Sequence, residues 1–217
     1  YDIDHKCPLG QGAFGSVLKG TYKGNKCSGN KRQILNYEEG SVFALKRITI
    51  NKSNPKYEER LKMARDEIEM GRNLPDHPHI VTLISSKEDL QHHLMFVWII
   101  TELCHLGNLS EYSKDYHLTT EHHLHLMKQI SSAQAYLHGL NPPLLHQDIK
   151  PTNNMLTLED AKHVVKLTDF GVSRVMDSNK SKFTFTIQGT EQYMSPEFLD
   201  KEKSREESKA YSVQYLA

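Results

Sequence analysis

The stretch Leu145-His146-Gln147-Asp148-Ile149-Lys150-Pro151-Thr152-Asn153, followed by Lys166-Leu167-Thr168-Asp169-Phe170-Gly171, constrains the fold of this chain more than any other feature. An aspartate in a loop is ordinarily a turn former, and a loop lysine is ordinarily a surface cation. The combination reads differently. Phosphoryl transfer needs a carboxylate near the attacking hydroxyl, cationic help at the transferred group and oxygen ligands for a Mg²⁺ that bridges phosphates. Asp148, Lys150, Asn153 and Asp169 supply that set, so the fold has to bring these two stretches to one place.

Upstream, Leu9-Gly10-Gln11-Gly12-Ala13-Phe14-Gly15-Ser16-Val17 puts glycines where a backbone can fold tightly over phosphates without side-chain obstruction. A plain glycine hairpin is one competing reading and a dinucleotide-binding loop is another. The latter should open a helix, whereas Ser16-Val17-Leu18-Lys19-Gly20 reads as a returning strand. Phe43-Ala44-Leu45-Lys46 is a second strand-like run whose lysine could neutralise phosphate oxygens, although most strand lysines simply face solvent. Glu67 lies beside the apolar stripe Leu61, Ala64 and Ile68, where an unpaired carboxylate would be costly. Pairing with Lys46 would resolve both; the alternative is an ordinary exposed acid like Glu58, Glu59 and Glu69.

Composition narrows the class. The 217 residues can bury a substantial core. Lys plus Arg (27) balances Asp plus Glu (27), which leaves no basic stripe for nucleic acid. The most apolar run, Leu94 to Thr101, falls well short of the roughly 20 residues that cross a bilayer, and no charged-then-apolar leader opens the chain, so no membrane is expected. Three widely spaced cysteines, Cys7, Cys27 and Cys104, argue for a reducing compartment, the cytosol or the nucleus. The 13 histidines lack cysteines at zinc-finger spacing and read as solvated positions.

The first hundred residues read as strands around one helix, and the rest as helix followed by loop-rich sequence. The early helix is bracketed by Asn54-Pro55, as cap and first helical residue, and by Leu74-Pro75. A second helix begins near Thr119-Thr120-Glu121, repeats apolar residues at Leu124, Met127, Ile130, Ala133 and Leu137, and stops at Gly139 as a left-handed cap. Ile80 to Ile84 and Leu94 to Thr101 read as the strands of a hairpin, with polar Ser85 to His93 between them.

Taken in order, these motifs resemble the protein kinase superfamily across essentially the whole chain. The resemblance implies an α+β, two-lobed fold: a small antiparallel β N-lobe with one main helix over residues 1–101, a hinge at 102–107, and a larger, mainly helical C-lobe over 108–217 that lacks its final helices. ATP would sit between the lobes with Mg²⁺. By similarity Gly10, Gly12 and Gly15 cover the phosphates, Leu9, Val17 and Ala44 roof the adenine, and Met155 floors it. Backbone groups of Glu102 and Cys104 would bind the adenine edge, with Thr101 as gatekeeper. Lys46 and Glu67 match the phosphate lysine and its helix partner, Asn153 and Asp169 the metal positions, and Asp148 the catalytic base.

Lys150 matches the serine/threonine type, and Gly189 to Glu197 resembles a peptide-docking segment in which Thr190 hydrogen-bonds Asp148 and Lys150. Asp169 to Ser173 and Tyr193 to Glu197 also resemble the MAP kinase kinase and sterile-kinase branch. The implied function is transfer of the ATP γ-phosphoryl group to Ser or Thr of protein substrates, with an upstream kinase acting on Thr186 or Thr184. A pseudokinase or nucleotide-binding scaffold without turnover is the alternative, and a small-molecule phosphotransferase of similar fold is a more distant one. Four departures bear on it. Gln147 replaces the usual arginine before the catalytic aspartate. Gly71 stands where a large apolar side chain normally supports the helix against Phe170. A polar insertion, Tyr22 to Glu39, separates the first strands, and Lys209 occupies the place of a buried aspartate.

Overall fold

The computed structural model describes residues 2–12, 15–23, 37–176, 190–194 and 196. A five-stranded antiparallel sheet runs β1 (Asp2–Gly12), β2 (Gly15–Thr21), β3 (Val42–Asn51), β5 (Leu94–Glu102) and β4 (Leu83–Gln91) in spatial order. Gly15 turns β1 into β2 with φ 152°, and a Cβ there would stand 2.0 Å from the Arg47 carbonyl oxygen, so only glycine allows this approach.

Alternation along β3 sets the packing. Lys46, Ile48 and Ile50 share one face, and helix α1 (Tyr57–Asn73) lies against it through Leu61, Ala64 and Ile68, joined by Leu83, Val97 and Ile99. On the opposite face Phe43, Leu45, Ile84 and Ile100 form a smaller cluster covered in part by Tyr22, Tyr37 and Trp98.

The second half is built on α3 (Thr120–His138), preceded by the short α2 (Leu109–Asp115). A two-residue strand, β6 (Leu144–Leu145), leads through the loop to the 3₁₀ turn Pro151–Asn153. Beyond that turn lies the hairpin of β7 (Asn154–Glu159) and β8 (Lys162–Leu167), and then β9 (Arg174–Val175), which pairs with β6. Leu126 packs on Leu156 and Val165, while Ala133 and Leu137 pack with Ile80, Leu144, Leu167 and Phe170. Buried Gln129 pins β8 to α3, its Oε1 accepting from Val165 N (2.8 Å) and its Nε2 donating to His163 O (3.0 Å). The chain belongs to the α+β class, with an antiparallel sheet and its helix followed by a helical half.

Several expectations are corrected. α1 starts at Tyr57 with Lys56 at its N-cap, because Asn54 is used in a preceding turn, where its Oδ1 accepts from Lys56 N (2.9 Å). Leu124 and Met127 are exposed. The buried face of α3 runs instead through Leu126, Gln129, Ala133 and Leu137, since polar Gln129 finds backbone partners inside. Gly139 is right-handed (φ −80°), and its N–H bonds back to Ala135 O. The polar stretch 85–91 is strand, half of its residues facing solvent at a sheet edge, whereas Ile80 makes only an isolated bridge to Leu167. The histidines are not uniformly solvated: His146 is 3% exposed.

Candidate active site

Because Lys46 shares its β3 face with the residues that receive α1, its side chain reaches the helix. Its Nζ lies 2.7 and 3.0 Å from the two Glu67 oxygens and 2.9 Å from Asp169 Oδ1. Burial works to lower the Lys46 pKa, but the carboxylates of Glu67 and Asp169 outweigh it and hold the ammonium above the usual lysine value. Asp169 has φ 67°, a left-handed conformation rare for a non-glycine residue, and it presents the carboxylate to Lys46 directly before the Phe170 ring enters the core.

The contact with Glu67 is made without a side chain at Gly71. Leu83 occupies that space, its Cδ2 standing 3.1 Å from where a Cβ would be. A small cavity among Gly71, Leu74, Ile80, Leu83 and Phe170 is lined by none of these charged groups.

A second cluster surrounds Asp148. Lys150 Nζ donates to its Oδ2 (2.6 Å), as does Asn153 Nδ2 (3.0 Å), while Thr190 donates to Oδ1 from both its N–H (3.0 Å) and its hydroxyl (2.9 Å). Lys150 also donates to Thr190 Oγ1 (2.7 Å). Burial would raise the Asp148 pKa. The bonds from Lys150, Thr190 and Asn153 overcome it and keep the carboxyl below the usual aspartate range.

The loop itself is held by His146, whose Nε2 lies 3.0 Å from Thr168 O and whose Nδ1 accepts from Asp148 N (3.3 Å). That pair of partners fixes a neutral ring with the proton on Nε2, and burial lowers its pKa accordingly. His146 therefore ties the Asp148 stretch to the strand exit that carries Asp169. Gln147 takes a left-handed φ of 66°, and its buried Oε1 has no hydrogen-bond partner among the described residues.

The remaining predicted residues lie on the strands of the sheet, in the segment that leaves it and at the start of β7. Leu9 is exposed, Val17 pairs with Lys46 across β2 and β3, and Ala44 pairs with Thr101 across β3 and β5. Gly10 and Gly12 lie on β1 next to Val17 and Gly15 in register. Glu102 closes β5, with its N–H already donated to Thr82 O (3.1 Å). Cys104 is buried, which pushes its thiol up to about 12. Met155 bridges Asn108, and Leu156 exchanges backbone bonds with Leu106 and Gly107, which fastens the 102–107 segment to β7.

Sequence reasoning missed His146, Lys166 and the Glu102 side chain. Burial of a histidine or a lysine leaves no local signature, and only the fold brings Lys166 to 2.9 Å from Glu102. Ala13, Phe14, most of the insertion, Thr184, Thr186, Gly189, Glu197 and Lys209 lie outside the described residues.

Comparison with known proteins identifies the family. The family model described as protein kinase domain matches residues 3–216. A probable serine/threonine-protein kinase, kinX, from Dictyostelium discoideum is 30% identical over 91% of this chain and 16% of its own length. The probable serine/threonine-protein kinase WNK6 of Oryza sativa subsp. japonica is 34% identical over 74% of this chain and 35% of its own. Mitogen-activated protein kinase kinase kinase 5 of Arabidopsis thaliana is 30% identical over 88% and 23%. The chain thus spans from about a sixth to about a third of the length of these curated relatives, and their spread over several branches favours no single one.

Proposed function

Because the chain belongs to the protein kinase family, serine/threonine type, we propose that it transfers the γ-phosphoryl group of ATP to Ser or Thr hydroxyls of protein substrates. One observation carries the reading: Asp148 converges with Lys150, Asn153 and Thr190, while Lys46 converges with Glu67 and Asp169, and His146 joins the two clusters.

The polar groups fit a magnesium-loaded triphosphate. Asn153 uses its amide nitrogen twice, on Asp148 O (2.9 Å) and Oδ2, so its amide oxygen is the atom that would hold a cation. Asp169 meets Lys46 through Oδ1, and its Oδ2 would serve the same purpose. Mg²⁺ needs only one or two protein oxygens, because phosphates and water complete its octahedron. When bound, it supplies charge neutralisation along the phosphates.

Within the chain, each group has a separate task. Lys46, oriented by Glu67, places its ammonium at the phosphate end. Asp148, ionised at neutral pH, orients the attacking hydroxyl and accepts its proton through a carboxylate oxygen. Lys150 faces the transferred group, and Thr190 holds both in register. Positioning and fixed charge do most of the work in such a site. The glycines of residues 10–15, with Leu9, Val17 and Ala44 above and Met155 below, would enclose the nucleotide, and Thr101, Glu102 and Cys104 would bound its adenine. This divides the chain into an N-terminal unit to residue 101, a connecting segment 102–107 and a C-terminal unit from 108.

An upstream kinase acting on Thr186 or Thr184 belongs to the same proposal, supported by the place of Thr186 shortly before Gly189. So does a reducing compartment, the cytosol or nucleus, supported by the sparse cysteines. No helix among the described residues is long and apolar enough to cross a membrane.

The test is radiolabelled phosphate transfer to protein by the full-length protein beside its Asp148→Asn variant. Transfer should fall by a factor of about 10² to 10⁴ in the variant. Equal labelling by the two would eliminate the kinase reading.

A further inference from the structure

We infer that Lys166 is a positioning residue for nucleotide recognition, acting through Glu102 on the segment that bounds the adenine. The inference rests on the reading of the site as a nucleotide cleft and adds a residue to it.

Lys166 sits on β8 opposite Met155, and its side chain is only 10% exposed. A lysine so buried requires compensating partners. It has two: Glu102 Oε2 at 2.9 Å and Glu159 Oε1 at 3.1 Å. Glu159 is half exposed at the end of its strand, so water competes for it. Glu102 is the better-shielded partner.

The carboxylate of Glu102 is held at both ends. Its Oε1 accepts from Thr82 N (2.8 Å), its Oε2 accepts from Lys166, and its own N–H donates to Thr82 O (3.1 Å). Val81, next to Thr82, donates its N–H to Leu167 O (2.9 Å), and Leu167 follows Lys166 in the chain. Glu102, Lys166, Leu167, Val81 and Thr82 therefore form a closed circuit in which the peptide at residue 102 cannot turn without breaking a bond.

The same strand exit reaches Asp169, which meets Lys46. One segment, 166–169, thus anchors both ends of the cleft: the phosphate end through Asp169 and the adenine end through Lys166. The tie also extends to the insertion. The Tyr37 ring packs edge-on against Phe43 at 4.9 Å, and Phe43 is the β3 partner of Glu102. Burial raises the pKa of the Tyr37 hydroxyl, and the charge of Glu102 raises it further.

If the circuit positions the adenine edge, loosening it weakens nucleotide binding more than it slows transfer. The experiment measures KM for ATP, kcat, and the Kd of ADP by calorimetry on the full-length protein and on Lys166→Met, Glu102→Gln, their double variant and Lys166→Arg. In Lys166→Met, KM and Kd should rise about tenfold while kcat stays within about threefold, since misplacement acts on orientation. Glu102→Gln should raise both in the same direction, and the double variant should be no worse than either single one, because the two act through one contact. Lys166→Arg, which keeps the charge, should restore binding to within about threefold.

Unchanged KM and Kd in both single variants, a fall in kcat alone, or additive losses in the double variant would each overturn the inference. Should Lys166→Met not fold, Glu102→Gln and Lys166→Arg still decide it. A wild-type protein that binds ADP with this dependence yet transfers no phosphate would refute the kinase reading alone. Transfer with binding indifferent to Lys166 would refute this inference alone.

Discussion

Asp148 shows how far a single side chain depends on its neighbours. Left to burial its carboxyl would titrate above the ordinary aspartate value, yet the bonds from Lys150, Thr190 and Asn153 bring it below. A folded pKa below the unfolded value of about 3.9 contributes stability that is present above that pH and is lost as the pH falls through the folded value. Removing one donor should move the value up. In Lys150→Met the Asp148 carboxyl, followed by ¹³C NMR titration, should titrate at higher pH than in the wild type, and an unmoved resonance would show that Lys150 does not hold it. Cys104 is the opposite case. Burial dominates there and keeps the thiol protonated and unreactive at neutral pH, although a cysteine beside the proposed adenine edge invites a chemical role on sequence alone.

The two ends of α3 were legible in the sequence, apart from the hand of Gly139, and the buried face of its first half was not. Thr119 caps it, its hydroxyl accepting from His122 N (3.2 Å) while His122 Nδ1 accepts from Thr119 N (3.3 Å), a local arrangement that a threonine before a helical run already implies. Thr119→Ala should cost about 1 kcal/mol in denaturant-unfolding free energy. Which face is buried follows from the β7–β8 hairpin, whose backbone offers Gln129 a donor and an acceptor and so draws a polar residue inward. The same denaturant measurement should separate Leu137→Ala, at about 2–5 kcal/mol, from Met127→Ala, within about 0.5 kcal/mol. Equal losses would mean that the helix is rotated from the face observed. In β4 the error has a similar source: residues 85–91 look like a loop because an edge strand with one wet face carries polar side chains.

Among the described residues, burial lowers the pKa of three histidines: His77, His79 and His146. His77 stacks on Tyr136 and His79 lies 3.1 Å from Val165 O, so both sit where the segment after α1 meets the helical half, and His146 lies between the two acidic clusters. Their folded values lie below the unfolded value of about 6.5, so the unfolded chain takes up protons first as the pH falls. Stability from these groups is therefore complete above about pH 6.5 and declines below it, before most carboxylates titrate. Calorimetric Tm should be level from about pH 8 to 7 and fall between about 6.5 and 5. A level Tm over that lower interval would show that these rings are not held neutral by the fold.

Residue type and spacing alone say which chemical groups are present and in what order: the glycine turn, Lys46, Glu67, the Asp148 stretch and Asp169 are local patterns, readable because each reflects a short-range requirement of backbone or chemistry. Which of them touch is set by packing in three dimensions. The circuit from Glu102 to Lys166, the neutral ring of His146 between Asp148 and Thr168, and Leu83 filling the space at Gly71 all join residues far apart in the chain. Such contacts are set by how sheet, helix and hairpin pack together, and that packing leaves no mark on any one segment.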